Sequence, residues 1–447
     1  MVLSENARLI LTRLRSAGYE AQVVGGAVRN FILGIPVNDY DFTTSASPDE
    51  ILALFSDYRV FTAGIKHGTV SVAVGKEVHE ITTYRSDGKY SDHRHPKKVA
   101  FVSSLEEDLK RRDFTVNAIC FDGEKITDIF GGMRDCENGI IRCIGDPFER
   151  FDEDALRILR AVRFASELSF TLEENTKNAV FARKRLLLGV SVERVREEFN
   201  KILLGGGCEG ALASFREVIA VFIPEISVCF DFKQRTAYHD FDVYAHLIKT
   251  VAASPAVLEL RLAAFFHDIG KPHCFFMGDD GAGHFYGHPK KSRDIAEEVM
   301  KRLKYPKSLI GEVLTLVEYH DAPVVPKDAP APKDKYVLRA LNRFGEDTLR
   351  KLLALKRADN FAKKTTPPDN LSEAEEIEKI LDALIEKKAC FGLKDLKVNG
   401  GDVLALGVRG KVVGETLEYL LSLVISGEKP NDREILISEA RIYIENR

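Results

Sequence analysis

Asp39 and Asp41 stand two positions apart in the segment NDYDF. On a strand, residues i and i+2 leave the same face, so these carboxylates come to lie side by side. Their mutual repulsion is relieved by a divalent cation. Mg²⁺ in particular takes oxygen ligands and often bridges one or two carboxylates to substrate phosphates. Upstream, Gly25 and Gly26 let the backbone approach a phosphate where a helix begins, with Arg29 one turn in. An acid pair alone is common on solvated turns. A Gly-Gly-x-x-Arg turn ahead of it, with strand patterning at both, is far more specific and points to metal-assisted phosphate chemistry. Glu80 offers a further carboxylate on a later β segment, but its apolar and aromatic neighbours favour a structural role.

A second constellation is Asp154, Arg157, Arg160 and Arg163, spaced three apart in a helical pattern. Residues three apart are neighbours on a helix surface, and such a series can be a solvated salt-bridge ladder. Base chemistry offers a use for it. Cytosine and adenine each present an exocyclic amine beside an unprotonated ring nitrogen, whereas uracil and guanine present a carbonyl beside a ring N–H. A carboxylate accepting from the amine and a guanidinium donating to the ring nitrogen therefore suit C and A. A wrong base leaves desolvated polar groups unpaired.

A third lies further on, in HDFDVYAH, FFHDIGKP, YGHPKKS, VEYHD and RADN. The adjacent His267 and Asp268 can supply two metal ligands from one turn, and His246 and Asp359 complete a four-ligand set. Imidazole and carboxylate together suit Mg, Mn, Ni, Fe or Zn.

The elements that must position these residues differ along the chain. Up to Gly145 alternating β segments (TVSVAVG, VHEITTYR) mix with short helices, and SPDEILALF opens with a Ser47–Glu50 capping pattern. ITDIFGGMRD and IIRCIG read as a closing hairpin. Beyond, DPFERFDEDALRILRAVRFASEL reads as one helix and the remainder is helical. The fold class is α+β: a small mixed-sheet head, then an elongated all-α remainder. The expected divisions are a head over 1–145, a helical neck over 146–235, a metal-binding helical domain over 236–365 and a helical tail over 366–447. A length of 447 residues fits about three domains. Lys+Arg total 64 against 68 Asp+Glu, a net charge of −4, which argues against a whole-surface nucleic-acid binder but allows a local basic strip. Seven cysteines without a CxxC pair read as free thiols in a reducing cytoplasm. The N-terminus reads as an amphipathic helix rather than a signal peptide, and no apolar run approaches the ~20 residues that cross a bilayer.

GGAVRN…VNDYDF resembles the first motif of the class II tRNA nucleotidyltransferases, the CCA-adding enzymes, and KRRDFTVNAI resembles their second. DIFGGMRD, GDPFERFDEDALRILRAVRFA and SVERVREEFNKIL follow in the family's order, over about the first 205 residues. Asn30 departs from the Asp usual after the arginine, which puts any carboxylate role there in doubt. The resemblance implies addition of C and A to the tRNA 3′ end from CTP and ATP, with Asp39 and Asp41 holding two Mg²⁺ ions. It places Gly26, Arg29 and Arg112 at the incoming nucleotide. It gives Asp154 and Arg157 the base-reading role, with Arg160 and Arg163 near the nucleotide. The loop 86–98 resembles the element needed to switch from C to A addition. The middle segments resemble the HD phosphohydrolases, whose two-metal members have histidines where this chain has His288 and His320. Residues 396–440 resemble the family's C-terminal segment, where Arg409 and Lys411 could meet tRNA phosphates. Three alternatives stand beside this reading: an A-adding specialist, a bacterial poly(A) polymerase, and an HD metallophosphohydrolase with an RNA-binding head.

Overall fold

The computed structural model describes every residue except 38, 88–98, 280, 365–370 and 447, so the body of the loop 86–98 lies outside the described residues. The chain forms two compact units, Met1–Ser227 with Arg302–Lys304, and the remainder from Val228.

The first unit is built on a seven-stranded sheet. Its strands are β1 (Ala21–Val24), β2 (Asp41–Thr44), β3 (Arg59–Phe61), β4 (Thr69–Val74), β5 (Glu77–Thr83), β6 (Ile119–Phe121) and β7 (Ile126–Asp128). The order is β3-β4-β5-β2-β1-β6-β7. β2 runs antiparallel to β1 and parallel to β5, with Val24 and Glu80 on either side of Asp41. Val23, Phe42, Val70, Val72 and Ile81 are buried, as the alternation predicts. Helix Glu5–Ser16 packs on β1 and buries Ile10, Leu11 and Leu14. The capping box of Ser47 and Glu50 opens helix Pro48–Leu54 as expected.

Two expectations need correction. Ile126–Asp128 pairs with Ile119–Phe121, while Ile140–Ile141 pairs in parallel with Thr171–Leu172, so they form no hairpin with each other. Helix Gly132–Asn138 intervenes and turns the chain away. The predicted single helix is two, Pro147–Glu153 and Leu156–Leu168, because Asp154 adopts an extended φ/ψ of −134°/103° and its Oδ1 accepts from the Leu156 N–H. Helix Val192–Leu204 packs along the second of these.

The second unit is helical apart from one small strand pair among the described residues. Val337, Leu341, Leu349, Leu353, Ile377 and Leu381 form one core cluster, and Val398, Val403, Leu420 and Leu436 another. The apolar periodicity of helices Asp334–Ala362 and Lys411–Ser426 supplies much of both. No helix among the described residues is long and apolar enough to cross a membrane.

Candidate active site

In the first unit, β1 ends at Val24 and turns into helix Gly26–Ile32. Gly25 makes the turn with φ 75° and ψ −132°, a conformation essentially confined to glycine. Asp41 is the first residue of β2; Asp39 lies just before the strand, so only one of the pair is strand-borne. Both are exposed, and Glu80 is exposed in register with Asp41 rather than packed. Desolvation in the cleft, then Asp39 and Glu80, push the Asp41 carboxyl up to about 6 against the pull of Arg112. Crowded carboxylates with a raised pKa fit a divalent cation, which would remove the repulsion that holds the proton.

A cleft of about 440 Å³ joins Gly25, Gly26, Arg29, Asp41, Arg112, Asp154, Arg157, Arg160 and Arg163, so nearly all the residues predicted from the head and neck meet in one place. Their positive groups gather around Phe164: the guanidinium carbons of Arg163, Arg29 and Arg160 lie 4.1, 5.2 and 5.5 Å from its ring centroid. Burial pushes Arg29 and Arg163 below the usual arginine range. Burial acts the same way on Arg160, but Asp113 outweighs it and holds Arg160 above that range. This is the electrostatics of an anion site.

Partners that the sequence reading did not single out hold this constellation. Arg29 donates to Asn117 Oδ1 at 2.5 Å and to Asn30 Oδ1 at 2.9 Å. Asn30 therefore works as a neutral acceptor beside the arginine. Asn117 donates to Asp113 Oδ1 at 3.1 Å, and Arg160 Nε donates to Asp113 Oδ2 at 2.7 Å, so one buried carboxylate orients two of the arginines. Buried Asp108 receives Arg112 at 3.3 Å and Arg111 at 2.7 Å. Asp113 and Asn117 both lie in KRRDFTVNAI, where their i, i+4 spacing was the available signal. Asp154 pairs with Arg194 Nη2 at 3.2 Å, while Arg157 donates to Glu153 Oε2 at 2.7 Å and to the Arg111 carbonyl at 3.1 Å.

The second unit brings His246, His267, Asp268 and Asp359 together, and Asp268, His288 and His320 beside them. His267 and His320 end helices Leu258–Phe266 and Lys307–Tyr319, and His288 begins helix His288–Arg302. Each Nδ1 faces a backbone carbonyl: Ala362 for His246, Ala264 for His267, Phe285 for His288 and Val317 for His320, at 2.7–3.2 Å. A carbonyl can only accept, so each Nδ1 carries a proton, and in the neutral ring each Nε2 offers a lone pair. Those lone pairs converge on carboxylates. His246 Nε2 lies 3.0 Å from Asp359 Oδ1, His267 Nε2 3.2 Å from Asp268 Oδ2, and His288 Nε2 3.0 Å from Asp268 Oδ1. Asp268 Oδ1 is buried without a hydrogen-bond donor. Acceptors that face acceptors fit a divalent cation, which His246, His267, Asp268 and Asp359, with His288 and His320 beside them, would hold. Without it, burial pushes His267 down, but Asp268 and Asp359 outweigh this and raise it to about 9, so a proton supplies the missing charge. Lys271 Nζ lies 2.6 Å from Asp268 Oδ2, the oxygen that His246 and His267 also face, and Lys363 Nζ lies 2.9 Å from Asp359 Oδ2.

Three family models match the chain. "Poly A polymerase head domain" covers residues 21–142, "Probable RNA and SrmB- binding site of polymerase A" covers 169–229, and "tRNA nucleotidyltransferase domain 2 putative" covers 288–440. The chain is 34% identical over 444 residues to the CCA-adding enzyme of Ligilactobacillus salivarius, covering 98% of this chain and 96% of that protein. It is 51% identical over 197 residues to that of Lactobacillus helveticus, 44% of this chain and 49% of the relative. Among solved structures, the Bacillus stearothermophilus CCA-adding enzyme in complex with CTP superposes with a TM-score of 0.72 at 29% identity, covering 99% of each chain. The Thermotoga maritima CCA-adding enzyme complexed with tRNA shares the fold at TM-score 0.62 and 21% identity, over 99% of this chain and 96% of that one.

Proposed function

The chain belongs to the CCA-adding enzymes, tRNA nucleotidyltransferases that use a divalent metal, and we propose that it adds C and A to the tRNA 3′ end, from CTP and ATP, in the arginine-lined cleft of its first unit. The observation that carries this is the joining of Asp41, the Gly25–Gly26 turn, and the Asp154–Arg163 series in one cleft. Asp39 and Asp41, with Glu80 beside them, would hold Mg²⁺. The metal would supply activation of the 3′-hydroxyl and neutralisation of the triphosphate. Arg29, Arg160 and Arg163 draw the triphosphate in, and Gly26 leaves room for it. Arg112, fixed by Asp108, adds a further positive group at the Asp41 end. Asp154 and Arg157 accept from and donate to the Watson–Crick edge of C or A. No template strand is needed, because these side chains take its place.

The working divisions are the head over 1–145, the neck over 146–235, the metal domain over 236–365 and a tRNA-binding tail over 366–447, in an enzyme of the cytoplasm. The test uses tRNAs ending at the discriminator base, at C and at CC, with CTP, ATP or both. Completion of CCA on all three supports the reading; extension of only the CC-ended tRNA would identify an A-adding specialist, and a long A tract on unrelated RNA a poly(A) polymerase. Asp39→Ala should abolish transfer.

A second activity is favoured by the convergence of four Nε2 atoms, those of His246, His267, His288 and His320, on Asp268 and Asp359. We read this cluster as an HD-type phosphohydrolase centre, with His246, His267, Asp268 and Asp359 holding one ion and Asp268, His288 and His320 a second. Ni, Mn, Fe, Mg or Zn fits these donors. Phosphoester hydrolysis under any of these metals, unaffected by Asp39→Ala, supports it. A metal-loaded protein with no such activity overturns it.

A further inference from the structure

Helix Asp334–Ala362 is broken at Gly345, whose φ of 75° and ψ of 168° belong to a backbone region essentially confined to glycine. A recess of about 290 Å³ draws its lining from both sides of the break. Ala340 comes from before it, Leu352 and Leu353 from after it, and all three are buried. Tyr319, Tyr336 and Phe344 add aromatic rings. Three cations complete the site: Arg339, Arg343 and Lys356. The guanidinium carbon of Arg343 lies 4.4 Å from the Tyr319 ring centroid and 5.1 Å from that of Phe344, and Arg343 Nη2 donates to Tyr319 Oη at 2.6 Å. Arg339 lies 6.0 Å from the Tyr336 centroid, and Lys356 Nζ donates to the Ala322 carbonyl at 3.4 Å. No carboxylate lines the recess, and among the described residues none of the three cations forms an ion pair. The same helix pairs its other cations fully where it can: Arg350 with Glu346 and Asp382, Lys351 with Glu259, Glu312 and Asp347, and Arg357 with Glu378.

Charge left unanswered around an apolar recess suits an anion with an apolar body. A bare phosphate would leave the aromatic and aliphatic lining unused, and an RNA backbone is met by cations on an open face rather than in a recess. The volume stands near the lower end of small-molecule sites, which begin at about 300 Å³. We propose that this recess binds an aromatic carboxylate, its ring on Ala340, Leu352 and Leu353 beside Tyr336 and Phe344, and its carboxylate among Arg339, Arg343 and Lys356. A planar guanidinium meets a carboxylate through two parallel N–H bonds, and Arg343 is already oriented by the Tyr319 hydroxyl and the two rings. His320 and Ala322 also line the larger cavity in front of the histidine cluster. None of the cluster's carboxylates reaches the recess, so the anion needs no metal there. The site is independent of both activities proposed above.

The test titrates 1-naphthoate into the full-length protein in chelator and follows binding by saturation-transfer NMR. Two controls accompany it: 1-naphthamide keeps the rings without the charge, and acetate keeps the charge without the rings. Naphthoate should bind with a Kd of about 0.1–1 mM, and each control roughly tenfold more weakly or worse. Arg339→Gln and Lys356→Gln should each weaken naphthoate roughly three- to tenfold. Both should leave naphthamide binding, the thermal transitions and nucleotide transfer unchanged, and Arg339→Lys should recover part of the loss. Photolabelling with 4-azidobenzoate should mark residues 319–326 or 336–344, and naphthoate should protect them. Equal binding of naphthoate and naphthamide, or label confined to the first unit, overturns the proposal. So does displacement of naphthoate by tRNA, which would make the recess an RNA contact. Naphthoate that binds only after Ni²⁺ is added would sit on the histidine cluster instead, and that too overturns it.

Discussion

A carboxylate lifted to about 6 is a stability cost that the Asp41 site carries for its function. The sign follows from linkage: a folded pKa above the unfolded value of 3.8 means that the native state binds protons more tightly. Asp41 therefore favours folding below pH 4 and opposes it progressively as pH rises through 6. Asp41→Asn should abolish nucleotide transfer yet raise Tm at pH 7.5 in chelator, through a stability gain of about 1 kcal/mol once solvent screening of this exposed group is allowed for. A lower Tm in differential scanning calorimetry would remove the argument. The same carboxyl predicts that apparent Mg²⁺ affinity in the transfer assay falls as pH drops through 6, and that excess Mg²⁺ moves this acid limb downward. Buried Asp113 has the opposite character. Burial alone would raise it, but Arg160 and the Asn117 and Phe114 N–H groups hold it near 2. Asp113→Ala strands Arg160 and releases Asn117 from its hold on Arg29, so it should cost about 3–5 kcal/mol in urea unfolding.

At the scale of elements, the break at Asp154 matters most. Spacing by threes made Asp154, Arg157, Arg160 and Arg163 read as successive neighbours on a helix surface, and the three arginines do share helix Leu156–Leu168. Asp154 instead stands ahead of it, bonded to the Leu156 N–H, a preference of Asp for helix starts that the arginine periodicity masked. The break frees the carboxylate to meet Arg194 from helix Val192–Leu204, a pairing between distant segments that no local spacing encodes. Arg194→Ala should lower discrimination of CTP over UTP about tenfold by loosening Asp154, while Arg194→Lys restores part of it. Unchanged selectivity in single-nucleotide incorporation would make the pair purely structural. Local signals were otherwise legible in proportion to how local they are. The Ser47 cap, the Gly25 turn and the strand alternation of 69–74 were readable because each is decided within a few residues. The exposure of Glu80 was not, because it depends on β5 pairing in register with β2. The histidine cluster was readable only as a list of ligands. The carbonyls that face Nδ1 of His267, His288 and His320 lie three residues before each ring, but Ala362, the partner of His246, comes from a segment 116 residues away.

For the whole molecule, two units with separate cores predict two thermal transitions rather than one. Mn²⁺ or Ni²⁺ at about 100 times its Kd should raise only the transition of the second unit, through a stabilisation of about 2.7 kcal/mol, and chelation should reverse it. The net charge of −4 bears on the partner of the first unit. Its arginines are already committed within the fold: Arg160 to Asp113, Arg112 to Asp108, Arg163 to Glu198 and Glu167. A phosphate that meets such a group displaces little condensed counterion per contact, because an internal carboxylate already shares the charge. The log–log slope of tRNA affinity against salt should therefore be shallow, about 2 to 4 at roughly 0.7–0.9 per neutralised phosphate. Filter binding between 50 and 200 mM KCl measures it. A slope near 10 would mean that RNA is held by a broad basic face rather than by a local cleft on a mildly acidic body.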